Sequence, residues 1–240
     1  MTIQTKTIDY QDGDVELQGC IAWDDDIEGK RPGVMISHAW AGRSDLENGK
    51  AEDLARLGYV GFAMDLYGKG VLGSSVEENS ALMQPFLDNR EMLQGRMKLS
   101  LDLLKMLDEV DETRVAAMGF CFGGLCVLDL ARTGADLNGI VSFHGLFGSP
   151  GNTAGNKIKA KILALHGWDD PMVTPDAVVA LAEELTSMGA DWQIHAYGNT
   201  MHAFTNPNAN DPDFGTVYNP DADRRSWNAM HNYLSEIFDR

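Results

Sequence analysis

The sequence predicts an α/β fold with a mostly parallel central sheet, an antiparallel edge at its N-terminal end and helices on both faces. Strand-like and helix-like runs alternate along the 240 residues. The interior strand candidates are apolar runs without alternation, as expected for strands that are covered on both faces. No long linker, internal repeat or low-complexity tract interrupts the pattern, so residues 1–240 are expected to form a single domain.

The first half begins with a predicted hairpin. Residues 2–10 and 15–23 alternate apolar and polar around Asp12-Gly13, which is typical of an antiparallel edge. Residues 33–37 and 60–64 predict buried strands, with a helix over about 46–57 between them. Ser75 and Glu78 have capping-box spacing and predict a short helix that Pro85 ends, after which a long helix is expected over about 86–107.

The second half continues the alternation. Residues 115–118 predict a strand and 125–132 a helix, and two further interior strands are expected over 139–143 and 162–165. A helix over 175–187 has proline at its start. A last strand follows over 192–197. A polar loop over 199–219 then leads to a closing helix over 223–238.

The turn after residues 115–118 reads Gly119-Phe120-Cys121-Phe122-Gly123-Gly124. Strand, turn and helix have the layout of a nucleophile elbow, with sulfur in place of the usual serine oxygen. The tight turn forces an unfavourable backbone conformation on Cys121, and a Cβ at Gly119 or Gly123 is expected to collide with neighbouring elements. The predicted helix N-terminus favours thiolate over thiol. An inert core cysteine is the alternative interpretation of this residue alone.

A thiol nucleophile needs a base, and the base needs a carboxylate that orients it. Elbow enzymes carry these groups in the order nucleophile, acid, base. Cys121, Asp170 and His202 follow that order, and each comes just after a predicted strand, where open parallel sheets bind ligands. Loop position favours Asp170 over Asp169, although either could instead cap the helix that follows.

The oxyanion of an acyl-transfer reaction needs two N–H donors. The backbone N–H of Phe122 and that of Trp40, in the loop after the first buried strand, are the candidates. His166 is expected to be a satisfied core histidine, and His38 and His144 are expected to be pocket walls or hydrogen-bonded loop residues. No HxH or HExxH spacing appears, so no catalytic metal is expected.

The formal net charge of −17, from 36 acidic and 19 basic residues, repels phosphate backbones and anionic lipid. Neither nucleic acid nor membrane is therefore expected as a partner. The N-terminus has no apolar signal-peptide core, and Cys20, Cys121 and Cys126 form no CxxC pair. A soluble cytoplasmic protein is the simplest interpretation, and a periplasmic form cleaved before Met1 is the alternative.

Four segments resemble the dienelactone hydrolase family, a cysteine-bearing branch of the α/β-hydrolases. They are the elbow at 119–124, Asp65-Leu66-Tyr67, the Gly-x-x-Asp at 167–170 and His202-Ala203-Phe204. The resemblance extends from about residue 33 to residue 238. It implies an α/β-hydrolase fold, a Cys/Asp/His triad and hydrolysis of a small-molecule ester or lactone through a thioester, without a cofactor. We expect a monomer or a homodimer.

The sequence departs from this family at three positions. The family's thiol-activating glutamate corresponds to Ala39, and its two carboxylate-binding arginines correspond to Lys69 and Asn206. Lysine loses the bidentate fork and asparagine the charge, which argues against a dienelactone carboxylate as the ligand. The expected site has little fixed charge and suits uncharged aryl esters or lactones, with neutral phosphotriesters as a secondary hypothesis. Its expected lining is Trp40, Tyr67, Phe122, Phe143, His144 and Phe204, with His38, Lys69 and Asn206 as further substrate-binding candidates.

Two other classes compete with the hydrolase. One is a thiol-based redox sensor in which Cys121 is the switch and Cys126 the resolving thiol. The other is a catalytically silent α/β-hydrolase scaffold, which the missing glutamate at Ala39 keeps open.

Overall fold

The structure is a computed structural model that describes residues 1–239. The chain divides into two compact units, Met1–Met118 and Gly119–Arg240. Strand β5, Val110–Phe120, crosses the boundary between the two units. The single-domain organisation that the sequence suggests stays a prediction.

The strands of the first unit lie in the order β1-β2-β4-β3-β5. They are β1 (Ile3–Asp12), β2 (Val15–Asp24), β3 (Arg31–Ser37), β4 (Val60–Ala63) and the start of β5. Strands β1 and β2 pair antiparallel over their whole length, which confirms the predicted hairpin. Strand β2 pairs antiparallel with β4, whereas β3 and β4 are parallel. The antiparallel edge is therefore made by the two N-terminal strands.

Three helices belong to the first unit: α1 (Asp45–Arg56), α2 (Val76–Asp88) and α3 (Arg90–Lys105). Two glycines show that α1 and α3 cover opposite faces. A Cβ on Gly61 would lie 2.6 Å from Ala51 Cα of α1, and one on Gly33 would lie 3.1 Å from Leu104 Cδ1 of α3. Gly61 is opposite Val34 in the ladder, so Gly33 and Gly61 point to opposite sides.

The prediction that Pro85 ends the second helix was wrong. Helix α2 continues through Pro85 to Asp88, and the break comes at Asn89, with φ −124° and ψ 84°. The Asn89 side chain accepts a hydrogen bond from Met92 N at 3.0 Å and starts α3. Near the end of a helix, proline costs only one backbone hydrogen bond, whereas an asparagine N-cap satisfies a donor of the next helix.

The second unit contains the parallel strands β6 (Gly139–Phe143), β7 (Lys161–Gly167) and β8 (Trp192–Tyr197) in that order. Its helices are α4 (Phe122–Arg132), α5 (Pro175–Ser187) and α6 (Pro220–Phe238). A Cβ on Gly139 would contact Tyr233 and Ile237 of α6, whereas Ser142 Oγ donates to Gly124 O of α4 at 3.1 Å. Residues 139 and 142 face opposite sides of β6, so α4 and α6 cover different faces.

The polar loop predicted over residues 199–219 contains a short antiparallel ribbon, β9 (Asn210–Asp211) with β10 (Thr216–Val217). The ribbon is too short for the sequence pattern to reveal. A mostly parallel sheet with an N-terminal antiparallel edge and helices on both faces confirms the predicted fold class. Within residues 1–239, no helix is both long and apolar enough to span a membrane.

Candidate active site

Cys121 lies between β5 and α4 in a strained conformation, with φ 55° and ψ −116°. Only glycine adopts such angles freely, so the turn must be held by its surroundings. The N–H of Cys121 donates to Phe143 O at 3.0 Å. A Cβ on Gly119 would lie 2.1 Å from Gly123 O, and one on Gly124 would lie 2.6 Å from Gly145 Cα. These two glycines are therefore required for the close approach of strand and helix.

The three cysteines differ in exposure. Cys121 is partly exposed, whereas Cys20 and Cys126 are buried, and all three are free thiols. The Cys121 side chain makes no capping hydrogen bond to α4, although its carbonyl accepts from Gly124 N at 3.0 Å. The sulfur is thus accessible at the positive end of a helix dipole.

Asp170 and His202 form a buried pair. His202 Nδ1 lies 2.7 Å from Asp170 Oδ2, and the two residues are 1% and 2% exposed. The other carboxylate oxygen, Oδ1, accepts from Met172 N at 2.8 Å and Val173 N at 3.2 Å. Asp169 is exposed. A carboxylate can only accept, so Nδ1 of His202 carries the proton and its Nε2 points away from Asp170.

The charge state of His202 follows from its neighbours. Burial lowers the pKa of His202, but the negative charges of Cys121 and Asp170 and the hydrogen bonds to them raise that pKa to about 10. Nε2 of His202 is buried and has no hydrogen-bond partner of standard geometry among residues 1–239. Catalytic contacts are often long or misaligned in unliganded enzymes. His202 thus lies close enough to Cys121 for a negative charge on the sulfur to raise the pKa of the imidazole.

The loop that carries His202 is fixed by backbone bonds. His202 N donates to Gly215 O at 3.0 Å, and His202 O accepts from Val217 N at 3.1 Å, which ties the residue to β10. The next residue, Ala203, has φ 55°. The short ribbon missed in the sequence is therefore what holds the imidazole in place.

His144 also lies at this site. Its Nδ1 accepts from Cys121 N at 3.1 Å, and its Nε2 lies 2.8 Å from Thr205 Oγ1. Its ring centroid is 5.1 Å from those of His202 and Phe204, in edge-to-face contacts. Burial first, and then the charge of His202, hold the pKa of His144 well below its usual value. Both ring nitrogens are thus engaged by the protein.

In the first unit, His38 is a structural histidine. Its Nε2 accepts from Leu66 N at 3.1 Å, so its Nδ1 donates to Ala39 O at 2.7 Å. The ring is fully buried and burial lowers its pKa. The Tyr67 hydroxyl donates to Trp40 O at 3.0 Å. These bonds join the loop after β3 to the loop after β4. His38 is therefore a hydrogen-bonded loop residue, which is one of the two roles expected from the sequence.

The two positions aligned with the family's arginines differ from each other. Lys69 Nζ lies 2.9 Å from Asp9 Oδ2 and 2.7 Å from Glu16 Oε1, and these hydrogen bonds raise its pKa to about 12. Its charge is compensated by the N-terminal hairpin. Asn206 is half-buried, and its Oδ1 accepts from Asn208 N at 3.0 Å. Substrate binding by either residue stays a prediction.

Two aromatic candidates for the pocket lining are core residues. Phe143 and Phe204 are fully buried, and Phe143 stacks on Phe120 with ring centroids 4.8 Å apart. Phe122 is the first residue of α4, and Trp40 is half-buried in the loop after β3. Their roles as N–H donors to an oxyanion remain predictions.

His166 differs from its expected role. It is fully buried, as predicted, but neither ring nitrogen has a hydrogen-bond partner among residues 1–239. Burial lowers its pKa, although nearby Asp170 opposes that effect. Thr205, the partner of His144, was missed entirely, because no sequence signal marks a threonine that accepts from a histidine. In the same described range, no group of three or more His, Cys, Asp or Glu side chains could hold a metal.

An elbow cysteine above a parallel sheet, with a buried Asp–His pair after the next strands, defines a hydrolase of the elbow type. The model of the dienelactone hydrolase family matches residues 17–238, and the chain belongs to this family. The resemblance found in the sequence is therefore confirmed.

Individual relatives agree. A solved dienelactone hydrolase-like promiscuous phosphotriesterase from metagenomic libraries is 37% identical, with a TM-score of 0.93, and the match covers 99% of this chain and 100% of that one. A probable 2-oxo-3-(5-oxofuran-2-ylidene)propanoate lactonase from Bradyrhizobium sp. is 25% identical over 87% of this chain and 85% of its own length. An uncharacterized protein of Caenorhabditis elegans is 34% identical over 63% of this chain and 98% of its own length.

Proposed function

We propose that this hydrolase cleaves uncharged carboxylic esters and lactones, with Cys121 as the nucleophile and a thioester as the intermediate. The observation that carries the proposal is the buried pair of Asp170 and His202, together with the raised pKa that His202 has beside Cys121 and Asp170. Such a pair keeps a thiol ionised and supplies the proton that a leaving group needs.

In the first half-reaction the thiolate of Cys121 attacks the carbonyl carbon, and the carbonyl oxygen takes the negative charge. The N–H groups of Phe122 and Trp40 are the proposed donors to that oxyanion. As the C–O bond breaks, Nε2–H of His202 protonates the leaving alkoxide. The alcohol departs, or stays attached if the substrate is a lactone, and the acyl group remains on sulfur.

In the second half-reaction His202, now neutral, takes a proton from water at Nε2. The resulting hydroxide attacks the thioester carbonyl, and the C–S bond breaks. The sulfur leaves as thiolate, which again pairs with the imidazolium, and the acid is released. Asp170 keeps the imidazole in one orientation and stabilises its cation in both halves.

This scheme explains how the thiol is activated although Ala39 replaces the family's glutamate. The negative charge beside His202 is supplied by Asp170, and the positive end of α4 faces Cys121. An uncharged substrate fits the charges present, because Lys69 is already paired with two carboxylates. A lactonase among the relatives points to the same substrate class.

Trapping the acyl-enzyme tests this proposal. The wild-type protein mixed with p-nitrophenyl acetate is expected to release a burst of nitrophenolate and to gain one acetyl group on the peptide that contains Cys121. Neutral hydroxylamine should remove that group, since it cleaves thioesters much faster than oxygen esters. Acetylation at another residue, or turnover without any acyl-enzyme in rapid-quench samples, would refute the thioester route.

A second candidate activity is hydrolysis of neutral phosphotriesters, which is supported by the relative that is 37% identical and described as a promiscuous phosphotriesterase. An oxyanion hole of two N–H donors can also stabilise the oxygen charge that develops when a nucleophile attacks phosphorus. Paraoxon turnover by wild type, lost in parallel with ester turnover in Cys121→Ala, is the expected result. No turnover of paraoxon by an esterolytically active sample would remove this candidate.

The partner and compartment belong to the same proposal. A small ester or lactone is the only partner it requires, and the free thiols of Cys20 and Cys126 suit a reducing cytoplasm. The buried position of Cys126 weighs against a redox switch, because a resolving thiol must reach the oxidised sulfur. Whether the enzyme is a monomer or a homodimer stays a prediction.

A further inference from the structure

We propose that His144 is a positioning residue that holds the nucleophile's backbone and the loop of the catalytic base in register, and that it acts only as its neutral Nε2–H tautomer. This inference rests on the proposed function only for the activity measurement that tests it. The sequence suggested a pocket wall or a hydrogen-bonded loop residue, with His144 also among the candidates for substrate binding. The geometry makes it a hydrogen-bonded residue, connected to Cys121 on one side and to Thr205 on the other.

The tautomer follows from the donors. The backbone N–H of Cys121 is shared between Phe143 O, at 3.0 Å, and Nδ1 of His144, at 3.1 Å; because it can only donate, that Nδ1 carries a lone pair. In a neutral imidazole the other nitrogen then carries the hydrogen, and Nε2–H donates to Thr205 Oγ1 at 2.8 Å. One ring thereby spans from the nucleophile to a residue close after the base His202.

The backbone on both sides of this ring is strained. Four non-glycine residues in the described chain have positive φ, and three of them are Cys121, His144 and Ala203, at 55°, 37° and 55°. A residue in this conformation persists only where its surroundings over-determine it. The two hydrogen bonds of His144 run to Cys121 and to Thr205, which is two residues after Ala203, and we assign to them the task of keeping the sulfur and the imidazole aligned.

The charge of the ring matters because its surroundings accept only the neutral form. A protonated His144 would place an N–H against the N–H of Cys121 and a second cation 5.1 Å, between ring centroids, from His202. The titratable groups around it are Cys121, His202 and His166, and the other ring contacts come from Phe120 and Phe204. No carboxylate is hydrogen-bonded to either nitrogen, and the hydrogen bond to the backbone of His144 itself, which favours a charged ring, is outweighed by burial and by the charge of His202.

Three variants separate positioning from simple structural support. Thr205→Val removes the acceptor without changing the side chain's shape. His144→Leu removes both bonds at similar volume. His144→Asn keeps an acceptor near the position of Nδ1 and tolerates positive φ, but it is too short to reach Thr205. Thr186→Val, at an exposed position on α5, is the matched control.

For p-nitrophenyl acetate we expect kcat to fall roughly 10- to 100-fold in Thr205→Val and His144→Leu, with KM within about twofold, since sub-ångström misplacement acts on the reacting geometry. His144→Asn should recover part of the loss, and Thr186→Val should match wild type. Wild-type kcat in folded Thr205→Val would overturn the inference, whether or not His144→Leu folds.

A measurement that needs no turnover keeps this inference distinct from the proposed function. In protein labelled with ¹⁵N at histidine, His144 is expected to show an unprotonated Nδ1 and a protonated Nε2 at neutral pH. Thr205→Val should perturb the Nε2–H resonance. A protonated Nδ1 would refute the tautomer even if Cys121 is the nucleophile. Conversely, if Cys121 were not the nucleophile, the protonation of the His144 nitrogens could still be measured and would still test the inference.

Discussion

Cys121→Ala is expected to lower kcat/KM for p-nitrophenyl acetate by at least ~1,000-fold, because removal of a nucleophile leaves only binding and the oxyanion donors. The residue is the partly exposed cysteine of the three, and it lies opposite the charged imidazole of His202. Steady-state kinetics on purified variants, with a melting curve for each, would measure the effect.

Cys20→Ala is the matched control, since it removes one buried thiol from the first unit. We expect its kcat/KM to stay close to that of wild type. Equal rates for wild type and Cys121→Ala, at equal protein purity, would contradict the nucleophile assignment and favour either another nucleophile or direct attack by water. If both variants were folded but inactive, the loss of activity would not be specific to Cys121 and would not support its assignment as the nucleophile.

The interior of the fold was predictable because its strands follow simple rules. An apolar run without alternation gave β6 with its observed bounds, and the proline-start pattern gave α5 over Pro175–Ser187. The break at Asn89 was not predictable in the same way, because Pro85 and Asn89 offer competing signals within one turn. The side-chain bond from Met92 N decides between them, and it exists only once both helices are formed.

The three triad candidates could be predicted from the sequence, because the order of the groups along the chain and their position after strands leave few residues to choose from. Loop position already favoured Asp170 over Asp169, and the structure gives the physical reason, since the first is buried against His202 and the second is exposed. The role of His144 could not be predicted, because a histidine's tautomer depends on partners that are distant in sequence. The ion pairs of Lys69 with Asp9 and Glu16 were likewise not predictable, because these residues are distant from it in sequence.

The raised pKa of His202 also makes the stability of the folded protein depend on pH. The pKa of His202 is raised from its ordinary 6.5 to about 10. A base whose pKa is raised on folding stabilises the folded state. This contribution is complete at pH values below the pKa that the group has in the unfolded chain. That contribution is lost as the pH rises through the folded value. The His202 contribution to stability is therefore expected to be complete below about pH 6.5 and to disappear by about pH 10.

Asp170→Asn is expected to lower kcat/KM by roughly 1,000- to 10,000-fold, because an amide neither stabilises the imidazolium nor fixes the Nδ1–H tautomer. It should also lower the pKa of His202, since the carboxylate's charge and hydrogen bond are among the causes that raise it. The imidazolium would then be lost at lower pH than in wild type. Alkylation of Cys121 by iodoacetamide near pH 7 should slow, because the cation that stabilises the thiolate is weakened.

Asp169→Asn, one residue earlier and exposed, is the matched control and should keep wild-type kinetics. The measurement pairs kcat/KM with alkylation rates from pH 5 to 10 for the three proteins. A fast-alkylating wild type with no ester turnover would identify a reactive thiol without hydrolase activity. Equal losses in Asp169→Asn and Asp170→Asn would instead mean that the loop after β7, rather than one carboxylate, sets the rate, and the assignment of Asp170 would fail.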